Sequence, residues 1–236
     1  MKRALLIGLN YKGSDYQLNL CEADVVAIKG LMDQSGVQTQ LITDKDNLGI
    51  TELNRLLEEY RAKQKPNDTF YLVYSGHGTQ IPGDEDDRYD EALCLYKHGY
   101  IDCYLDQVLR KKLDLFKGHI VVIFDSCFSG GMERNSMPYT KKFVELDRVN
   151  LGSITEKVTL GSIPSELPRI NFMFSSSEDE VSFEAGDHGF FTGALLKHWP
   201  NQKYISKLMP LIYKDISHSQ HPLHKKVRTT GYKKLF

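Results

Sequence analysis

The sequence predicts an α/β fold with a mostly parallel central β-sheet and α-helices on both of its faces. Apolar strand-like runs alternate with helical segments along the N-terminal third, which is the order of a parallel sheet with right-handed crossovers. The run Ile120–Phe124 is short, apolar and β-branched without alternation, which is typical of a strand buried on both faces. Together these patterns place the carboxyl ends of several strands at one edge, where open α/β sheets bind their ligands.

The individual elements follow from periodicity and from turn residues. Strands are predicted at Arg3–Leu9, Val37–Thr43, Thr69–Tyr74, Ala92–Tyr96, Ile120–Phe124 and Arg169–Ser175. Helices are predicted at Leu18–Met32, after an N-cap at Thr51, and at Asp102–Leu113, Phe190–Trp199 and Tyr204–Ser217. The segment Met132–Leu167 is polar and contains no clear element, which is typical of a functional loop.

Composition excludes several classes of function. The 236 residues are 41% hydrophobic and 26% charged, as in a soluble globular protein with a sizeable core. The formal net charge of -1 gives no overall field toward nucleic acid or a membrane, so neither is an expected partner. Ala4–Leu9 is too short to span a bilayer and has no signal-peptide cleavage site, so we expect a cytoplasmic protein. We also expect a monomer. The four cysteines lack zinc spacing, and no disulfide is expected.

Two residues with catalytic chemistry follow strands of the predicted sheet. His77 comes directly after the Thr69–Tyr74 strand and Cys127 after Ile120–Phe124, with 50 residues between them. A neighbouring imidazole can take the proton of a thiol and make it a nucleophile. Free N–H groups near Gly78 and Cys127 are candidates for an oxyanion hole. Alone, such a cysteine is more often a buried apolar residue and such a histidine a turn residue, but the pair predicts a cysteine hydrolase.

A family resemblance rests on these residues. Tyr74-Ser75-Gly76-His77-Gly78 and Asp125-Ser126-Cys127-Phe128-Ser129-Gly130 resemble the two catalytic motifs of metacaspases, in the caspase-like clan of cysteine peptidases. The acidic stretch Gly83–Asp87 and the N-terminal Ala4–Asp24 region resemble the same family. The resemblance implies a caspase-like fold in one peptidase domain over residues 1–236. Residues 1–131 resemble a large subunit, 132–168 a linker loop and 169–236 a small subunit. The compact chain resembles bacterial or phage members.

The resemblance implies endopeptidase activity after Arg or Lys of a protein or peptide substrate. By analogy, a specificity pocket is formed by Cys21, Asp24, Ser75 and Asp125. Two carboxylates in a partly desolvated pocket favour a guanidinium or an ammonium group, which agrees with this substrate class.

Metal dependence and self-processing stay open at this point. Many metacaspases need calcium, and Asp90 and Asp102 are the candidate ligands, but Cys103 replaces the second aspartate of the family's pair. Because calcium prefers hard oxygen ligands, no cofactor is expected to be required, and calcium remains the alternative. The loop 132–168 contains basic residues at which the enzyme would be able to cut itself, namely Arg134, Lys141, Lys142, Arg148 and Lys157.

Two other functions are compatible with the same residues. The first is a scaffold that binds basic peptides through Asp24 and Asp125 without cutting them. A pure binder needs neither Cys127 nor His77, so the intact pair argues against it. The second is a hydrolase of the same fold that acts on a non-peptide acyl substrate, which turnover of thioesters without cleavage of basic peptides would reveal.

Overall fold

The computed structural model describes residues 1–82, 89–127, 140–155, 167–177, 180 and 182–228. The β-strands are β1 (Lys2–Gly8), β2 (Gln38–Ile42), β3 (Thr69–Ser75), β4 (Gly78–Pro82), β5 (Tyr89–Lys97), β6 (Tyr100–Leu105), β7 (His119–Asp125), β8 (Thr140–Lys141), β9 (Leu151–Ile154), β10 (Arg169–Phe174), β11 (Phe183–Ala185), β12 (His188–Gly189) and β13 (Leu223–Val227). The α-helices are α1 (Cys21–Gln34), α2 (Ile50–Lys63), α3 (Asp106–Leu113), α4 (Phe190–His198) and α5 (Ile205–Ile216).

The predicted α/β class and parallel sheet are confirmed. Six strands form the main sheet in the order β13-β10-β7-β3-β1-β2. The pairs from β10 to β2 are all parallel, and only β13 runs antiparallel, at one edge. β13 lies in the C-terminal stretch, where the sequence analysis predicted no strand.

Helices cover both faces of this sheet, as predicted. Successive residues of a central strand enter opposite cores: Leu5 packs in one and Leu6 in the other. One core contains apolar residues of α2 and α3, and the other contains those of α1, α4 and α5. Burial on both faces explains why the central strands read as unbroken apolar runs.

A second sheet was missed by the sequence prediction, except for one strand: the predicted Ala92–Tyr96 lies within β5. Its four strands follow the order β4-β5-β6-β9 and pack into the core on the α2 and α3 side. β5 and β6 form a hairpin whose turn contains His98 and Gly99, both with positive φ (51° and 86°). A third, smaller sheet has the order β12-β11-β8.

Two predicted helix boundaries are wrong for local reasons. Asp102 lies in β6 rather than at a helix start, and α3 begins only at Asp106. α2 begins at Ile50, so Thr51 is inside its first turn instead of capping it. The first-turn N–H of Ile50 is satisfied by the Asp102 carboxylate, at 3.1 Å, from a neighbouring strand.

The loop predicted at 132–168 contains ordered elements in its described parts. β8 and β9 both lie there, together with a short 3₁₀ turn at Leu146–Arg148. The acidic stretch 83–87, the glycines 130 and 131, and the basic residues 134 and 157 lie outside the described residues. Among the helices that the structure describes, none has the length and apolar content needed to cross a bilayer.

Candidate active site

The main sheet brings His77 and Cys127 to the same edge. β3 and β7 are adjacent and parallel, and Ser75 lies opposite Asp125 at their carboxyl ends. His77 and Cys127 each follow two residues beyond this pair, and both are buried, at 3% and 0% exposure. The position of both residues therefore comes from the strand register, as the sequence pattern suggested.

Hydrogen bonds to neighbouring loops fix the orientation of His77. Its Nε2 lies 2.7 Å from the Tyr16 carbonyl oxygen. Because a carbonyl only accepts, Nε2 carries the hydrogen and Nδ1 carries the free lone pair. The backbone N–H of His77 donates to the Tyr11 hydroxyl at 2.8 Å, and its carbonyl accepts from the Tyr74 hydroxyl at 2.7 Å.

Gly76 is required by this same arrangement, for space and not for an unusual backbone angle. A Cβ at this position would lie 2.7 Å from the Tyr74 hydroxyl and 2.8 Å from the Tyr11 hydroxyl. Such distances are well inside van der Waals contact, so any side chain would push the two tyrosines away from His77. The close approach of the two phenols is therefore the physical reason for a glycine at this position.

Neither catalytic candidate is charged in this conformation. Burial lowers the pKa of His77 to about 4 and raises the pKa of the Cys127 thiol to about 12. The thiol donates to the Ser182 carbonyl at 3.2 Å and accepts from the Ser182 N–H. Among the described residues, His77 Nδ1 is buried with no hydrogen-bond partner. His77 and Cys127 therefore do not form an ion pair here.

The backbone of Lys142 occupies the space between these two residues. Its carbonyl oxygen accepts from the N–H groups of Gly78, at 3.0 Å, and Cys127, at 3.3 Å. Its own N–H donates to the Ser182 carbonyl at 3.0 Å. The preceding β8 pairs antiparallel with β11, so the chain enters the site as an added strand. The N–H groups of Gly78 and Cys127 thus donate to the same carbonyl oxygen, which is the arrangement that an oxyanion hole requires.

The side chain of Lys142 fills an acidic pocket and is itself 0% exposed. Its Nζ lies 2.9 Å from Asp24 Oδ2, 3.1 Å from Asp125 Oδ2 and 3.0 Å from Ser75 Oγ. Three acceptors match the three donors of one ammonium group. Cys21, at the start of α1, is also fully buried, and burial raises the pKa of its thiol although the Lys142 ammonium and a hydrogen bond with Ser75 act in the opposite direction. All four predicted pocket residues therefore surround one cationic side chain.

The charges in this pocket stabilise one another. Burial opposes the ammonium of Lys142, but the carboxylates of Asp125 and Asp24 raise its pKa well above the usual value. Burial would raise the pKa of Asp24, yet the Lys142 ammonium and a hydrogen bond from His188 lower it below the ordinary value. The hydrogen bond to Asp24 in turn raises the pKa of His188.

A second layer of groups holds the two carboxylates in place. Asp24 Oδ1 accepts from the Gly189 N–H at 3.0 Å. Asp125 accepts from Ser182 Oγ at 2.8 Å and from Thr192 Oγ1 at 2.7 Å. These donors come from the residue before β11, from β12 and from α4, so segments downstream of Lys142 complete a pocket whose two acids lie upstream of it.

The calcium candidates are not brought together. Asp102 uses its two oxygens to accept from Ile50 N and from Ser153 N, at 3.1 and 2.8 Å. Asp90 accepts from Gln107 Nε2 at 2.7 Å. Asp102 pairs with Leu95, five residues along β5 from Asp90, which corresponds to roughly 17 Å. Within the described ranges, no group of three or more His, Cys, Asp or Glu side chains is placed to hold a metal ion.

Three participants were not singled out from the sequence. Lys142 was one of several basic residues in the loop, and nothing local distinguished it from Lys141. Ser182 contributes mainly through its backbone, and Tyr16 through its carbonyl, so neither has a signal in the side-chain pattern. Only the three-dimensional contacts identify them.

Comparison with known proteins supports the family resemblance. The Caspase domain family model matches residues 1–231. Metacaspase-1 of Schizosaccharomyces pombe is 32% identical over 159 residues, covering 61% of this chain and 37% of that protein. Metacaspase-1B of Aspergillus fumigatus is 27% identical over an alignment of 271 positions, covering 88% of this chain and 64% of that protein.

The chain therefore spans between about a third and two thirds of the length of these curated relatives. The crystal structure of protein GSU0716 from Geobacter sulfurreducens has the same fold, with a TM-score of 0.79 and 24% identity over 98% of this chain and 95% of that one. The expected resemblance is confirmed by the match along nearly the whole length, and the chain belongs to the Caspase domain family.

Proposed function

We propose that this protein is a cysteine endopeptidase that cleaves after Lys or Arg. The observation that carries the proposal is the position of Lys142, whose carbonyl and ammonium occupy the places that a substrate would need. In this scheme Cys127 is the nucleophile and His77 the general base. The N–H groups of Gly78 and Cys127 hold the oxyanion.

The reaction follows from the orientation of His77. Cys127 Sγ leaves its Ser182 partner and transfers its proton to the free Nδ1 of His77. The thiolate then attacks the carbonyl carbon, and the oxygen takes up the negative charge between the two N–H donors. The C–N bond breaks as Nδ1–H protonates the leaving amine. Water hydrolyses the thioester, which releases a carboxylate and restores the thiol.

The pocket explains the preference for a cationic residue before the scissile bond. Cys21, Asp24, Ser75 and Asp125 form its walls, and two buried carboxylates would be left unpaired by a neutral side chain. The three acceptors around Lys142 Nζ suit an ammonium directly. An arginine would present a larger planar group with five donors, so it needs the acids to spread apart. We therefore expect Lys to be cleaved at least as well as Arg.

Self-processing after Lys142 is part of the proposal. While residues 140–144 fill the site, no other peptide is able to enter it, so the uncut chain is its own first substrate. The attacked bond is Lys142–Phe143. Lys141, the adjacent basic residue, lies in β8 and is only half-buried, so it is not the residue we expect to be cut.

Intact mass spectrometry of the purified chain, with calcium and with a chelator, tests these assignments. We expect fragments that end at Lys142 in the unmodified chain and in Lys141→Ala, and none in Cys127→Ala. The same samples are assayed with peptides that place Lys or Arg before a reporter group, and with an arginine chloromethyl ketone. Hydrolysis that persists in Cys127→Ala would refute the nucleophile. Peptide binding without any cleavage or adduct would favour a non-catalytic scaffold.

A further inference from the structure

The segment that enters the site buries two of its side chains deeply and leaves the others more open. Lys142 is 0% exposed and Val144 is 4% exposed. Thr140 and Glu145 are exposed, and Lys141 and Phe143 are half-buried. Residues two apart in an extended chain point to the same side, so Lys142 and Val144 enter the protein together.

The backbone around Val144 is held by the strand that follows His77. The Val144 N–H donates to the Gly78 carbonyl at 3.2 Å, and Phe143 forms a parallel β-bridge with Gly78. The Thr79 hydroxyl donates to the Val144 carbonyl at 2.8 Å, and Thr79 is itself 1% exposed. Gly78 therefore contacts the segment on both sides of the Lys142–Phe143 bond.

The surroundings of the Val144 side chain are apolar. Val144 belongs to the core cluster that also contains Ile81, Leu93 and apolar residues of α2 and α3. Its isopropyl group is thus packed like a core residue, although it lies two positions from the bond that we expect to be cut. A charged side chain there would be buried among apolar groups.

We infer that the site also selects the second residue after the scissile bond and prefers a branched aliphatic side chain there. The substrates are then extended segments of the form Lys-Xaa-Val or Lys-Xaa-Ile. The inference rests on the proposed peptidase function. Gly78 and Thr79 bind the backbone of this second residue, whatever its side chain, and the apolar cluster supplies the selectivity.

The expected size of this preference follows from burial. One extra or missing methylene in a hydrophobic pocket changes discrimination by roughly 10- to 200-fold, and burying an unpaired charge there is more unfavourable. The Phe143 position is only half-buried, so substitutions there should have a smaller effect. The contrast between adjacent positions separates a specific subsite from a general preference for apolar peptides.

Quenched fluorescent heptapeptides based on Thr140–Leu146 provide the test, with alanine at the place of Lys141 so that one basic site remains. One series varies the Val144 position (Val, Ile, Ala, Asp), and the control series varies the Phe143 position (Phe, Ala). With the full chain, kcat/KM for Val and Ile should exceed that for Asp at least 10-fold. Replacing Phe by Ala in the control series should change it less than 3-fold.

Equal rates for Val and Asp would overturn the inference and leave the proposed function intact, since cleavage after Lys would still be seen. If neither the cut nor the uncut chain cleaves any Lys peptide, the proposed function itself is contradicted. Thr79→Val provides a second measurement. The reference substrate is a Lys amide reporter that has no residues after the scissile bond. The kcat/KM of the Val peptide, divided by that of this reporter, should fall at least 3-fold in Thr79→Val. An unchanged ratio would contradict the role of Thr79.

Discussion

Replacing Lys142 by alanine tests the acidic pocket most directly. Lys142 is 0% exposed, between an Asp24 side chain at 0% and an Asp125 side chain at 3%. Removing one partner from a buried ion pair typically costs about 3–5 kcal/mol, because the remaining charge is left desolvated and unpaired. Since 1 kcal/mol corresponds to roughly 2–4 °C in a domain of this size, Tm should fall by roughly 6–20 °C.

The assay is thermal unfolding in a Cys127→Ala background, so that no chain is cut during the measurement. Lys141→Ala is the matched control. It removes the same charge one residue away, from a half-buried position outside the acidic pocket, and should shift Tm far less. n-Butylammonium, which has the length and charge of the lysine side chain but no peptide backbone, should bind the vacated pocket of Lys142→Ala and restore stability by about 2.7 kcal/mol at 100 times its Kd. Butan-1-ol, which lacks the ammonium, should not.

This reasoning would be refuted if Lys142→Ala melted at the same temperature as Lys141→Ala. It would also be refuted if butan-1-ol rescued the variant as well as n-butylammonium did. The first result would mean that the two carboxylates need no cation. The second would mean that the pocket recognises the aliphatic stem and not the charge.

Three further results are expected. In a peptide assay, Gly189→Ala should abolish cleavage after Lys, because its Cβ would lie 2.4 Å from the Asp125 carboxylate. Gly193→Ala, within α4, is the control: its Cβ would have no atom closer than 3.9 Å, so the variant should retain activity. Tyr11→Phe should lower the free energy of unfolding by about 1–3 kcal/mol, measured in urea, since it leaves the buried N–H of His77 without its acceptor. Stability should fall as pH drops from about 6.5 to about 4, because burial lowers the pKa of His77 to about 4 and the unfolded state binds the proton first. This contribution is about 3 kcal/mol, and His77→Asn should remove it from the pH dependence of Tm.

Much of the main sheet could be predicted from the sequence because its central strands are buried on both faces. The run Ile120–Phe124 has no polar interruption, and β7 extends it by only one residue at each end. The catalytic candidates follow from the same fact, since His77 and Cys127 come just after two strands that are adjacent in space. In this fold, the point where an apolar run ends indicates the carboxyl edge of the sheet, where the candidate site lies.

The second sheet and the position of Lys142 could not be predicted in this way. β6 contains Asp102, a polar residue that reads as a helix start until its contacts with Ile50 and Ser153 are seen. Lys142 is separated by 118 residues from Asp24, its partner in the pocket, and no local pattern reports such a distant contact. Ion pairs between distant residues, and carboxylates that accept from two separate segments, form only when the chain has folded.

The order of strands has a consequence for a chain that has been cut after Lys142. In the main sheet β7 lies between β3 and β10. β7 is upstream of the cut, and β10 is downstream of it. β9, also downstream, is paired with the upstream β6. Strands of the two products are thus hydrogen-bonded to one another in two sheets, so the products should migrate as one particle in gel filtration and separate only on a denaturing gel. Cleavage after Lys142 would therefore free the segment that fills the site while the two products stay assembled.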